Sequence, residues 1–319
     1  MSERLLLIVI LHDRPDIISS IQHEDWQRTA QYRYRLGDRK AGVGGSVELR
    51  RSFQRLLGLW TDRPRREGTT IAERYTIQEL LGMGSYGLTY LCTDVRTGYE
   101  VALKESKPSK GRLSVKLLER EADVMRRLHH PAIPDLLDVF TSGRRSYIVT
   151  ECIRGQTLED CIFEQGLRYT ERECLELAGQ LLAPVAHVHE QGYIHGDVRI
   201  PNVILREGTV HLIDFGLARR LGEPLLPELK RRMREVPEPE DEPATPDHDL
   251  QDIGHFLLFM LYSAYEPEKG REPASWQEEL KLTPELHQML ERLLGLRPGY
   301  EGGAMELQAE IENVLLKLQ

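Results

Sequence analysis

The sequence predicts an α+β fold of two lobes, an antiparallel β lobe followed by a mainly helical one, with an N-terminal extension ahead of both. Three observations predict it. Short runs rich in β-formers, YTIQELLGMGSYGLTYLCTDV and YEVALKES, begin at Tyr75 and are joined by the turn residues Arg96, Thr97 and Gly98. Segments with apolar residues at helical spacing follow, the clearest being ERECLELAGQLLAPVAHVHEQG and DLQDIGHFLLFMLYS. A chain of 319 residues that is 40% apolar and 29% charged is sufficient for two modest cores.

The extension, residues 1–72, opens with LLLIVIL at 5–11. That run is far shorter than the about 20 residues of a membrane helix. It leads into His12, Asp13, Arg14 and Pro15 rather than a small-residue cleavage site, so a buried strand is expected. After the glycine-rich break at 41–46, Leu49, Phe53, Leu56, Leu57 and Trp60 fall at helical spacing beside Arg50, Arg51 and Arg55. Residues 47–60 therefore read as a basic amphipathic helix. Such a helix can lie on an anionic membrane surface, but packing on its own protein is the favoured reading.

Residues 1–75 hold 14 Lys/Arg against 10 Asp/Glu, whereas the whole chain carries a net charge of −9. A mildly basic head thus precedes an acidic body, and no nucleic-acid partner is expected, because that binding needs clustered cations. Cys92, Cys152, Cys161 and Cys174 form no C-x-x-C pair and no metal-ligand spacing. Reduced thiols in a cytoplasmic protein are the expectation, with no cysteine-built metal site.

In the β lobe, Gly82, Gly84 and Gly87 sit inside a hairpin rather than between a strand and a helix, which disfavours a dinucleotide-binding βαβ unit. Glycines there let backbone N–H groups approach phosphate oxygens. On the next strand, Val101 and Leu103 face one side and Lys104 the other. Between Ser114 and Leu128 a helix is expected with Leu118, Ala122, Met125 and Leu128 inward. Glu121 lies beside that stripe, where it can hold Lys104 as an ion pair.

The helical lobe begins with a capping box, Thr170 with Glu173, ahead of a helix whose Leu175, Ala178, Leu182, Val185 and His189 form a core stripe. His187 and His189 therefore read as packed rather than as ligands. Pro184 interrupts that pattern and predicts a local kink. The stretch YIHGDVRIPNVILREGTVHLIDFG at 193–216 then carries Asp197, Asn202 and Asp214. Either aspartate alone would read equally well as a turn acid or a helix cap.

Taken in order, these motifs resemble the protein-kinase family over nearly all of residues 75–319. LGMGSYGLTYL looks like its glycine-rich loop, VALK its strand lysine, and Glu121 the glutamate of its αC helix. IVTECIRGQTL looks like the hinge, HGDVRIPN the catalytic loop, and LIDFGLA the metal-binding segment. DLQDIGHFLLFMLYS, with Asp249 at its start, resembles the buried central helix of the large lobe, and LRPGYEGGAMELQAEIENVL the closing helix.

The resemblance implies a bilobal protein-kinase-like fold: N-lobe about 73–150, hinge about 150–155 and C-lobe about 156–319. It implies a bacterial-type Ser/Thr protein kinase using ATP and Mg²⁺, with Mn²⁺ as an alternative ion. ATP would be bound by Gly82, Met83, Gly84, Ser85, Gly87, Thr89, Ala102, Lys104, the gatekeeper Thr150, and backbone groups of Glu151 and Ile153. Asn202 and Asp214 would hold the metal, and Asp197 would accept the hydroxyl proton. Arg199, where a lysine is usual, would stabilise the transferred phosphoryl group, and His195 would brace the loop.

Three departures qualify the resemblance. Gly196 replaces an Arg common in protein kinases, Thr89 stands where a Val usually covers the adenine, and no A-P-E follows D-F-G. HGD also occurs in kinases of small-molecule hydroxyls, which is the alternative enzyme reading. A pseudokinase scaffold is the non-catalytic one, although it has no need of Lys104, Glu121, Asp197, Asn202 and Asp214 together. KRRMREVPEPEDEPATPD, in place of the A-P-E region, is expected to be a mobile loop. Between Asp214 and Asp249 there is no Ser or Tyr and only Thr245, so activation by loop phosphorylation is not expected.

Overall fold

The computed structural model describes residues 62–143, 145–230, 243–266 and 274–318. The expected strand at 5–11 and helix at 47–60 lie outside them, as does most of the loop expected at 230–247.

The first lobe is one antiparallel sheet of β1 (Thr70–Ile71), β2 (Tyr75–Met83), β3 (Gly87–Asp94), β4 (Glu100–Ser106), β5 (Leu136–Ser142) and β6 (Arg145–Glu151), in the order β1-β2-β3-β4-β6-β5. Because side chains alternate across a pleat, its register decides which residues share a face. Thr89 pairs with Gly82 and Lys104, and Ala102 with Leu91 and Thr150. These residues therefore lie on one face, and their neighbours Tyr90, Val101, Leu103, Tyr147 and Val149 fill a core on the other. Register shifts in β2 between Ile77 and Glu79 and between Leu80 and Gly82 bend the strand as it enters the glycine-rich turn.

Residues 62–72, assigned by sequence to the extension, lie against this sheet. Asp62 accepts the Ser109 amide at 3.0 Å. Arg65 pairs at 2.8 Å with Glu105, a fully buried carboxylate on the core face.

Helix α1 (Arg112–Met125) starts after Gly111, whose φ of 57° suits glycine, and so begins slightly earlier than the expected Ser114. It ends at Met125 rather than Leu128, because 126–128 close as tight turns onto Ala122, Val124 and Met125 carbonyls. Leu118, Ala122, Met125 and Leu128 are buried as expected. Leu118 and Ala122 pack on Ile148 of β6, which docks the helix onto the cleft face of the sheet.

The second lobe comprises α2 (Leu158–Phe163), α3 (Glu171–Glu190), α4 (Pro227–Lys230), α5 (Pro246–Tyr262), α6 (Trp276–Glu279), α7 (Pro284–Leu293) and α8 (Gly303–Lys317). The Thr170–Glu173 capping box is present. Leu175, Ala178, Leu182 and Val185 join the core of this lobe, as do Ile253, Phe256, Leu257 and Met260 of α5. Pro184 is buried within α3, which is continuous through it. No helix among the described residues is long and apolar enough to cross a membrane.

Short strands position the acidic stretch. β7 (Gln156–Thr157), β9 (Val203–Arg206) and β10 (Thr209–Leu212) form one small sheet, and β8 (Tyr193–Ile194) pairs with β11 (Arg219–Arg220) in another. The β9–β10 hairpin returns the chain to its origin, so that Ile194 stands opposite Arg219. Asp197 and Asp214 are brought together in this way.

Candidate active site

Lys104 links the two lobes. Its Nζ lies 2.7 Å and 2.9 Å from the two carboxylate oxygens of Glu121 on α1, and 2.7 Å from Asp214 Oδ1. Glu121 is buried, whereas Asp214 faces the cleft with its side chain 40% exposed. Burial pushes the Glu121 carboxyl up to about 7 against the pull of Lys104. Burial opposes the charge of Asp214 too, but Lys104 outweighs it and holds that carboxyl down at about 2. For Lys104 the two carboxylates outweigh desolvation, and its ammonium is held above its ordinary range.

Asp214 has a φ of 65°, uncommon for a residue with a side chain, and its Oδ1 also accepts the Gly216 amide at 3.1 Å. A Cβ on Gly216 would stand 3.0 Å from that Oδ1 and 3.3 Å from Lys104 Nζ, so glycine there permits the close approach. At Gly87 a Cβ would meet Lys104 Cγ and Cε at 3.2 Å. Of the three loop glycines, Gly87 is thus the one that crowds the lysine stem; Gly82 has open space.

Asp197 and Asn202 form the opposite wall. Asn202 Nδ2 donates to Asp197 Oδ2 at 2.8 Å and to its carbonyl at 2.9 Å. Arg199 Nε lies 2.8 Å from Asp197 Oδ1. Burial raises the Asp197 carboxyl despite Arg199. The Ile213 amide donates to the Asn202 carbonyl at 2.9 Å, tying this wall to Asp214.

Both of these hydrogen bonds of Asn202 use its amide nitrogen, and the contact of Asp214 with Lys104 uses its Oδ1, so neither engages Asn202 Oδ1 or Asp214 Oδ2. Oxygen donors of this kind suit a small divalent cation. Among the described residues no group of three or more His, Cys, Asp or Glu is arranged to hold a metal.

Beneath residues 195–198 lies a buried support. Asp249, fully buried on α5, accepts the amides of His195 at 2.8 Å and Gly196 at 2.7 Å, and lies 2.9 Å from His189 Nε2. Burial disfavours its charge, yet His189, His195 and the amides hold the carboxyl below the usual range. Asp252, three residues on, accepts the Val198 amide at 3.0 Å. The signal for both was present in the sequence as two acids one helical turn apart in an apolar helix. His195 is buried, with Nε2 3.1 Å from the Ile213 carbonyl and its ring edge-on to Phe215.

Gly196 has a φ of 72°, and a Cβ there would stand 3.0 Å from the Leu217 carbonyl. In the sheet, Thr89, Ala102 and Thr150 are on the Lys104 face, and Glu151 and Ile153 follow at the edge of the lobe. Met83 is exposed at the end of β2, with Gly84 and Ser85 in the turn that follows.

The model of the protein kinase domain matches residues 75–231. A probable serine/threonine-protein kinase, YbdM of Bacillus subtilis (strain 168), is 36% identical over 264 residues, covering 81% of this chain and 98% of that protein. CBL-interacting serine/threonine-protein kinase 13 of Arabidopsis thaliana is 34% identical over 156 residues, 48% of this chain and 30% of that protein. Smooth-muscle myosin light chain kinase of Gallus gallus is 32% identical over 154 residues, 47% of this chain and 8% of that protein.

Proposed function

This chain belongs to the protein kinase family, and from that premise we propose how its cleft divides the work of phosphoryl transfer. It is a Ser/Thr protein kinase that uses ATP and a divalent metal. Such transfer needs positioning and charge neutralisation more than covalent chemistry. Lys104, braced by Glu121, holds the α- and β-phosphates, while the backbone of Gly82, Met83, Gly84, Ser85 and Gly87 covers them. Adenine lies between Thr89 and Ala102, beside Thr150, with backbone groups of Glu151 and Ile153 at its edge.

Asp214 and Asn202 hold the metal, Mg²⁺ or else Mn²⁺, which neutralises phosphate charge. Asp197 accepts the proton of the acceptor hydroxyl, and Arg199 stabilises the moving phosphoryl group. The observation that carries the reading is Lys104 Nζ shared between Glu121 and Asp214, with Asp197 and Asn202 bonded together on the facing wall.

The kinase domain extends from about 73 to 319 and is preceded by an extension, residues 1–72, whose Thr70 and Ile71 add a strand to its sheet. The cytoplasm is the compartment we propose, since all four cysteines are free thiols. A membrane surface remains the less favoured partner for 47–60, and no nucleic acid is proposed.

Gly196 favours a second reading, transfer to a small-molecule hydroxyl. Incubation with labelled ATP and Mg²⁺ separates the two: label on Ser or Thr of a generic protein acceptor supports the first, and label only on sugars or aminoglycosides the second. No label anywhere, with no nucleotide-dependent thermal shift, would support a scaffold.

A further inference from the structure

Helix α1 is held from three directions, and the nucleotide site explains only one. Glu121 reaches Lys104. Its neighbour Arg120 turns elsewhere, and its guanidinium pairs with the Oε1 oxygen of Glu223, both side chains being partly buried. Leu113 and Leu117 pack on Leu226 and Leu229, with Tyr86 of the glycine-rich turn against the same cluster.

Glu223 stands on fixed backbone. Its amide donates to the Arg220 carbonyl at 3.0 Å, and its carbonyl accepts the Ala244 amide at 3.0 Å. Gly222 donates in turn to the Ala244 carbonyl at 2.8 Å, so 222–223 and 244 form a neck from which the intervening segment departs and to which it returns. The second carboxylate oxygen, Oε2, accepts the Arg220 amide at 3.2 Å. One residue beyond the neck, Thr245 caps α5, whose Asp249 holds the catalytic loop.

We propose that Glu223 is a positioning residue for phosphoryl transfer: a permanent carboxylate that holds Arg120 and thereby sets helix α1 with Glu121 on Lys104. The geometry makes the two pairs interdependent. Consecutive helical residues diverge by about 100°, so the rotation that aims Arg120 at Glu223 also aims Glu121 at Lys104, and turning the helix breaks both. A fixed carboxylate also suits a segment that offers no Ser or Tyr between Asp214 and Asp249. The inference rests on the kinase reading and deepens it.

The test uses the full chain as wild type, Glu223→Gln, Arg120→Glu, and the charge swap Arg120→Glu with Glu223→Arg. Turnover on a protein acceptor, KM for ATP, melting temperature and hydrogen exchange of residues 112–125 are measured for each. Each single variant is expected to lower kcat about tenfold, the scale of coupling between contacting charges. KM and melting temperature should change little, exchange in 112–125 should quicken, and the swap should recover most of both losses.

Wild-type kcat and exchange in Glu223→Gln would overturn the inference. So would a swap no better than the worse single variant, or losses that merely track a lowered melting temperature. An inactive wild type whose 112–125 exchange still responded to Glu223→Gln would count against the kinase reading and uphold the grip of Glu223 on helix α1.

Discussion

The carboxylate of Asp249 accepts two consecutive backbone amides, with Oδ2 2.8 Å from the His195 nitrogen and Oδ1 2.7 Å from the Gly196 nitrogen. One fully buried side chain thus fixes the two residues that precede Asp197. Asp249→Asn keeps the shape but offers only one accepting oxygen, leaving a buried amide without its partner. A stability loss of about 1–3 kcal/mol is expected, together with a marked fall in kcat.

The pH dependence of that stability follows from the sign of the shift. Asp249 is held below the usual carboxylate range when folded, so its contribution is present above the unfolded value of about 3.9 and is lost as pH falls through the folded one. Chemical denaturation of wild type and Asp249→Asn should give a difference that narrows as pH is lowered from about 4. A constant difference would contradict the assignment.

Asp197 carries a raised carboxyl because it is buried, and Arg199 at 2.8 Å opposes the rise. As the proposed proton acceptor it must be charged, so activity falls as pH drops through its value. Arg199→Gln removes the opposing cation and should move the acid limb of the kcat profile to higher pH. A limb that stayed in place or moved lower would separate Arg199 from Asp197.

Thr245, the one threonine between Asp214 and Asp249, is the N-cap of α5, its hydroxyl 3.1 Å from His248 Nδ1. Thr245→Ala should cost about 1 kcal/mol in thermal or chemical denaturation, as lost caps do. Turnover should persist both in this variant and in phosphatase-treated wild type. A large loss in both would restore a phosphorylation switch.

Gly87→Ala would place a methyl 3.2 Å from the Lys104 stem. Displacement by a few tenths of an ångström should weaken ATP binding and turnover several-fold, because phosphate positioning is geometrically demanding. Gly82→Ala, facing open space, should be milder in the same assay.

The sequence was most informative where a local pattern carries its own mechanism. Alternation placed Lys104 opposite Val101 and Leu103, helical spacing put Glu121 beside the buried stripe, and Thr170 with Glu173 announced a helix start. What it left unread depends on contacts distant in the chain. Arg65 on Glu105 and Arg120 on Glu223 are pairings that no spacing encodes. Asp249 and Asp252 were visible as acids, but their partners are backbone amides of a loop more than fifty residues earlier. Helix α1 ends before its apolar period does, because Leu128 continues the period while the backbone has already tightened into turns.

Asp197→Asn replaces the proposed proton acceptor by an isostere without removing a residue assigned to the nucleotide, and so isolates the proton transfer. Wild type and variant are compared in one experiment for ATP affinity and for phosphate transferred to Ser or Thr of a protein acceptor. Nearly unchanged ATP affinity is expected, with turnover reduced by at least about a hundredfold, the scale of a lost general base. Turnover close to wild type, or an ATP affinity that falls as far as turnover does, would contradict that role for Asp197.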